Sequence, residues 1–231
     1  MDTVTVKFPL KGEWVAANTP AEKIPSHGTD LWGQTYAYDF LRIMWRQKGF
    51  KFFSPSMMKY WLTGVTLDEC LGYGETIYAP FSGTIIESHD QFTERQRLHP
   101  ALDILRVIKN SLTFIPKKGN GNAGLIPMLG NYIILKDHEK ELYAMLAHLR
   151  PNSLRITTND TVTTGQELAQ VGHTGNSTAP HLHFQLMDNM DIQSAKGIAC
   201  AFHGYEHFDN DAWNPVSEGT PEKRQLIRDL T

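Results

Sequence analysis

Between Gly74 and Met187 the chain runs as short segments in which apolar and polar residues alternate, each closed by turn-forming residues. A period of two is the signature of a half-buried strand, because successive side chains point to opposite faces. This predicts strands over 76–80, 84–88, 131–136, 141–148, 168–171 and 181–187, with turns at Ser82-Gly83, at 137–140 and at 164–166. The segments at 131–136 and 141–148 are close enough to form a hairpin. Further strands are predicted at 4–8 and, from its aromatic content, at 35–40. Such a chain is expected to be mainly β: a compact antiparallel β-sheet or sandwich domain with a short helical insertion. Two stretches break the rhythm. Residues 41–70 mix polar and aromatic residues irregularly. Between 91 and 128, Leu98, Ala101, Leu102, Leu105 and Ile108 recur at helical spacing with Pro100 near the start, which predicts a helix, and 116–124 reads as loop. The simplest organisation is one domain over 1–231, with insertions at about 41–70 and 91–128 and a peripheral C-terminal segment, 188–231.

Composition narrows the function. The 22 Lys and Arg against 25 Asp and Glu give a formal charge of -3, the wrong sign for a nucleic-acid binder. No apolar run approaches the roughly 18 residues of a membrane span. Two cysteines, Cys70 and Cys200, make no disulfide framework, and the N-terminal residues lack the basic and apolar regions of a secretory signal. The informative count is ten histidines.

In His181-Leu182-His183-Phe184 the two imidazoles share one strand face while Leu182 and Phe184 share the other, and a Gly/Ser/Thr-rich loop feeds directly into the strand. His148 ends the segment 141–149, where alternation groups it with Leu142, Ala144 and Leu146. Asp39 lies between Tyr38 and Phe40, where a carboxylate needs a metal, a cation or backbone amides to offset its burial. His27 sits in the preceding loop, Ser26-His27-Gly28. Standing alone, the His181/His183 pair and His148 each read more readily as satisfied polar groups than as functional ones. Together with Asp39 and His27 they are the ingredients of a zinc site, since catalytic zinc takes three N/O ligands and leaves imidazoles free to handle protons.

Residues 74–88 and 130–187 resemble the M23 family of lysostaphin-type zinc metallopeptidases. The likeness runs through Gly74-Glu75-Thr76-Ile77-Tyr78-Ala79-Pro80-Phe81-Ser82-Gly83-Thr84, then Tyr143-Ala144-Met145-Leu146-Ala147-His148-Leu149, and is most specific in Gly172-His173-Thr174-Gly175-Asn176-Ser177-Thr178-Ala179-Pro180-His181-Leu182-His183. The resemblance implies a zinc-dependent endopeptidase that cuts Gly- or Ala-type peptides of bacterial peptidoglycan, outside the cell or at its wall. It implies one zinc ion per chain, with Asp39 and His183 as ligands and His148 and His181 as catalytic residues. Peptidoglycan peptides would be the partner, with neither nucleic acid nor a membrane span involved.

One ligand departs from the pattern. The family has a histidine four residues before the aspartate, and here that position is Thr35. His27, from the preceding loop, is the expected replacement. The competing reading is a degenerate, non-catalytic M23-like scaffold that binds or regulates other wall hydrolases, and Thr35 is the feature behind it. Tyr36, Tyr38, Asn176, Ser177 and Thr178 are expected to line the groove and Asn131 to brace it. His173 is expected to hydrogen-bond within its loop, and His89, His99, His138, His203 and His207 to be surface or structural.

Overall fold

The computed structural model describes residues 3–45, 50–115 and 121–230. In chain order its strands are β1 (Val4–Lys7), β2 (Glu13–Asn18), β3 (Tyr38–Leu41), β4 (Val65–Thr66), β5 (Thr76–Tyr78), β6 (Gly83–His89), β7 (Arg97–Leu98), β8 (Asn131–Asp137), β9 (Tyr143–Leu149), β10 (Thr161–Val162), β11 (Glu167–Gln170), β12 (His181–Met187), β13 (Gly197–Ile198), β14 (Cys200–Asp209), β15 (Ala212–Gly219) and β16 (Leu226–Asp229). The α-helices are α1 (Met57–Thr63), α2 (Pro100–Thr113) and α3 (Ile126–Leu129). None of the described helices is long and apolar enough to cross a membrane.

The protein is mainly β, as its alternating segments require. Most strands join one twisted sheet in the order β1-β14-β16-β2-β3-β12-β9-β8-β6-β10, with β13 on β12 and β15 on β14. All its ladders are antiparallel except β1 with β14, so the sheet is mixed rather than purely antiparallel. The predicted hairpin is β8–β9, and Asp137 closes its turn by accepting the backbone N–H groups of Glu139 and Lys140. β11 leaves the large sheet and pairs with β5.

Period two sets the two faces at the sheet centre. Leu182, Phe184 and Leu186 of β12, Tyr38 and Phe40 of β3, and Ala144 and Leu146 of β9 point into the main core with Phe8, Trp14 and Phe202. Each large apolar or aromatic side chain buried there contributes about 1.5–3 kcal/mol. The alternate residues of the same strands, Asp39, His181, His183 and Gln185, are thereby turned to the opposite face.

Three expectations change. Residues 188–231 are not a peripheral tail. They supply β13–β16, and β14 with β16 fills the sheet between β1 and β2, burying Phe202, Tyr205 and Ile227. Their aromatic content was the available signal. Residues 31–36 form a 3-10 turn rather than the start of a strand, because Trp32 and Gly33 take positive φ, and the strand begins only at Tyr38. The predicted helix is real and runs to Thr113, and Leu102, Leu105 and Ile108, whose spacing marked it, face solvent. The loop expected at 116–124 lies partly outside the described residues; from Gly121 the chain forms a 3-10 turn, Gly121–Leu125.

Candidate metal and catalytic site

β3 and β12 are neighbours, with His183 opposite Asp39 and His181 opposite Leu41. This register places His183 Nδ1 2.9 Å from Asp39 Oδ1. The loop before the 3-10 turn brings His27 Nε2 to 3.0 Å from Asp39 Oδ2. One nitrogen from each of the two histidines and one carboxylate oxygen lie within 4.8 Å of one another. Thr35 takes no part: its hydroxyl donates to Asp30 Oδ1.

The protons on these rings are fixed by what lies behind them. Ser26 Oγ donates to the carbonyl of Ala37, so it accepts from His27 Nδ1–H at 3.0 Å and leaves Nε2 as the lone pair facing Asp39. Gln185 Nε2 donates to the Trp32 carbonyl at 2.7 Å, which turns Gln185 Oε1 toward His183 Nε2 at 2.9 Å. His183 therefore donates from Nε2 and presents the Nδ1 lone pair to Asp39. Asn18, opposite Asp39 on β2, donates to Asp39 Oδ2 at 2.6 Å. Two imidazole lone pairs and a carboxylate converge with no proton required between them. That donor set fits a zinc ion, and the groups behind it are the outer-shell acceptors that orient metal-bound histidines.

Gly33 is part of this support. With φ +72 it lets the Trp32 carbonyl turn toward Gln185, and a Cβ there would lie 2.8 Å from Gln185 Nε2.

His148 reaches the site by a route that alternation misses. Simple pleating would put it on the core face with Ala144 and Leu146. The β8–β9 register instead shifts between Asn131 and Tyr132, so that Asn131 pairs with Leu149 and Tyr132 with Ala147. His148 is the extra residue of a bulge, with φ +63, and swings to the other face. Its ring lies 4.7 Å from that of His181 and 5.9 Å from that of His183. His148 Nδ1–H donates to the Thr174 carbonyl at 2.9 Å, and His181 Nδ1–H to the Ala179 carbonyl at 2.7 Å. Each ring thus keeps Nε2 for the site, and His181 Nε2 is 3.5 Å from Asp39 Oδ1.

The electrostatics separate these groups. Burial alone would raise the Asp39 carboxyl, but positive charge on the His27 and His181 imidazoles outweighs it and holds Asp39 well below the usual carboxylate range, a role that a cation between the same atoms would take over. Burial, reinforced by His181 and His183, holds His148 well below the usual histidine value, so it stays neutral. Burial would lower His181 too, but the Asp39 carboxylate outweighs it and raises that imidazole.

Residues 91–113 dock on the loop that leads into β12. Arg95 donates to His173 Nε2 and to the Ser177 carbonyl, both at 2.8 Å, and is itself held by buried Asp103. His173 Nδ1–H then donates to Ser177 Oγ at 3.0 Å, and that hydroxyl donates to the Ala179 carbonyl, which also accepts from His181. The loop residue His173 is therefore completed by a cation from the insertion. Asn131 braces the same loop: its backbone N–H donates to Thr174 Oγ1, which donates to the Leu149 carbonyl.

The five residues open into a groove of about 520 Å³. α2 walls it with Val107 and Ser111, followed by Phe114, while Trp32 and Met128 add apolar surface and Asn176, Ser177 and Thr178 add polar groups. Tyr38 is not part of it. That ring is in the core, with its hydroxyl donating to the Cys200 carbonyl at 2.6 Å. Tyr36 is likewise absent from the lining. Sequence reasoning missed Gln185, Ser26, Asn18 and Arg95. Gln185 was within reach, since it lies two residues past His183 on the same strand face.

Residues 118–194 match the sequence model of Peptidase family M23. The chain resembles the M23 peptidases. Among solved structures it is similar to the catalytic domain of lysostaphin from Staphylococcus simulans, at 18% identity over 81% of this chain and 88% of that one, with a TM-score of 0.39. It is similar to the catalytic domain of a prophage-encoded M23 protein from Enterococcus faecalis at 15% identity, covering 71% and 73% of the two chains, TM-score 0.37. A zinc-containing peptidase from Vibrio cholerae shows 16% identity over 84% of this chain, TM-score 0.39; the M23-like chain spans 39% of that protein.

Proposed function

We propose that this M23-like chain is a zinc-dependent endopeptidase that hydrolyses Gly- or Ala-type cross-bridge or stem peptides of bacterial peptidoglycan, acting outside the cell or at its wall. In this reading His27, Asp39 and His183 hold one zinc ion, and His148 and His181 are the catalytic residues. The observation that carries it is the convergence of one nitrogen from each of His27 and His183 on Asp39, with the other nitrogen of each ring held by Ser26 or Gln185. When bound, zinc supplies Lewis acidity, which acidifies water and polarises a peptide carbonyl.

The chain's own residues account for the remaining work. His148 and His181 each have Nδ1–H committed to a backbone carbonyl and Nε2 turned to the site. Between them the two imidazoles divide two tasks: one accepts the proton of an attacking water and the other donates a hydrogen bond to the developing oxyanion. The imidazole that took the proton returns it to the leaving amine. Ser111, Asn176 and Thr178 offer polar groups to an extended peptide, while Trp32, Phe114 and Met128 exclude water.

The test is zinc stoichiometry by chelator competition, followed by amine release from purified peptidoglycan. One tightly bound zinc per chain, cleavage lost on chelation and regained with zinc, is the expected result. A chain that binds no zinc tightly refutes this function.

A further inference from the structure

α2 is an amphipathic helix mounted the wrong way round for a soluble domain. At about 100° per residue, Asp103, Val107, Asn110 and Ser111 share one side. That side faces the protein: Asp103 is buried beneath Arg95, Asn110 donates to Asn176, and Val107 and Ser111 wall the groove. Ile104, Leu105, Ile108 and Leu112 form the opposite stripe, and all four are exposed, Leu112 by 81%. α1 is mounted the same way. Tyr60 packs inward on Phe52 and Phe53, while Met58, Trp61 and Leu62 stand 57–72% exposed. Most large exposed hydrophobic side chains of the described residues lie on or beside these two helices. A patch of this kind marks an interaction surface.

Charge identifies the partner. The acidic residue of the two helices is Asp103, buried and paired with Arg95 and Arg106. Lys59, paired with Glu69, and Arg106 and Lys109 are exposed on the helices, as is Arg97 on β7, which also donates to the Thr63 carbonyl at the end of α1. On α2, Arg106 and Lys109 flank the apolar stripe along one side, where long stems can follow apolar surface with their charges at headgroup level. Apolar residues including a tryptophan, edged by cations in a chain whose net charge is negative, match the pattern of a helix that lies in the interface of an anionic bilayer. A second copy docked on the ridge would set like charges against one another.

We infer that the outward faces of α1 and α2 form a peripheral docking surface for an anionic lipid bilayer. The surface is independent of the zinc reading, since none of its residues contributes to the metal or proton-handling set. Because α2 also walls the groove with its inner side, docking holds the groove beside the membrane surface.

The experiment is co-sedimentation of the full chain with vesicles of phosphatidylcholine alone or with phosphatidylglycerol added, at low and high salt. Binding to the anionic vesicles, weakened by salt, is expected. Leu105→Ser with Ile108→Ser should reduce it about tenfold or more, and Lys109→Glu should reduce it for anionic vesicles. Both substitutions lie at exposed positions, and an unchanged thermal unfolding profile confirms that the fold is kept. No binding to anionic vesicles at low salt overturns the inference. So does equal binding by the double variant. A concentration-dependent dimer, abolished by the same double variant and unaffected by vesicles, would assign the ridge to a second copy instead.

Discussion

Gln185→Leu tests the site through a residue that touches no metal ligand atom directly. Gln185 is buried, accepts from His183 Nε2–H and donates to the Trp32 carbonyl. Leucine keeps the approximate volume but removes both partners. A buried polar group left unpaired costs about 1–3 kcal/mol. His183 escapes that cost by carrying its proton on Nδ1, where Asp39 Oδ1 accepts it at 2.9 Å. That nitrogen is the one whose lone pair the metal needs. Zinc binding must then drive the proton back to an unpaired Nε2, which should weaken affinity about ten- to a hundredfold, or about 1.4–2.7 kcal/mol. Gln185→Glu, which keeps an acceptor at His183, should bind zinc at least as tightly as the parent. Chelator-competition titration of the three proteins, with thermal unfolding to confirm the fold, gives the answer. Equal zinc affinity in the folded leucine variant would refute the argument that Gln185 sets the tautomer.

The remaining predictions concern the other groups. His27→Ala should abolish tight zinc binding in the same titration, whereas Thr35→Ala should leave it unchanged because Thr35 points to Asp30. His148→Ala and His181→Ala should retain zinc yet lose about 100- to 1000-fold in peptide turnover, measured as amine release. His173 predicts an acid effect. Burial and the Arg95 cation hold it down to about 3 from the usual 6.5. The unfolded chain therefore takes up a proton below pH 6.5 that the folded chain refuses, so this contribution is complete above 6.5 and is lost as pH falls toward 3. The slope is up to about 1.4 kcal/mol per pH unit. Urea titrations across that window should show a shallower acid limb for His173→Asn, and parallel limbs would contradict it.

Much of this protein was legible in the residues. Period-two alternation marked β8, β9 and β12 closely, because a strand with one face in a core must alternate. The same rule put His181 and His183 on one surface, and the turn chemistry of 137–140 fixed the hairpin between β8 and β9. The loop position of His27 named it as a stand-in for Thr35, although only the folded chain shows it beside Asp39. Periodicity also found α2, but it could not say which side faces inward. A hydrophobic stripe has the same spacing whether it meets a core or a bilayer, and only the docking of Asn110, and of Asp103 through Arg95, onto the β12 loop decides that the stripe looks out.

Tertiary structure alone decided the rest. The bulge that carries His148 across the sheet arises from the β8–β9 register, a property of two strands that neither sequence displays. β14 and β16 lie between β1 and β2 because long-range pairing, not local pattern, sets strand order. The proton positions on His27 and His183 depend on Ser26, Ala37, Gln185 and Trp32, and the hydrogen bond of Gln185 to Trp32 crosses 153 residues of chain. Local chemistry named the atoms that could bind a metal. Which lone pair each of them presents was settled by groups distant in sequence, because a buried donor must find its acceptor wherever the fold supplies one.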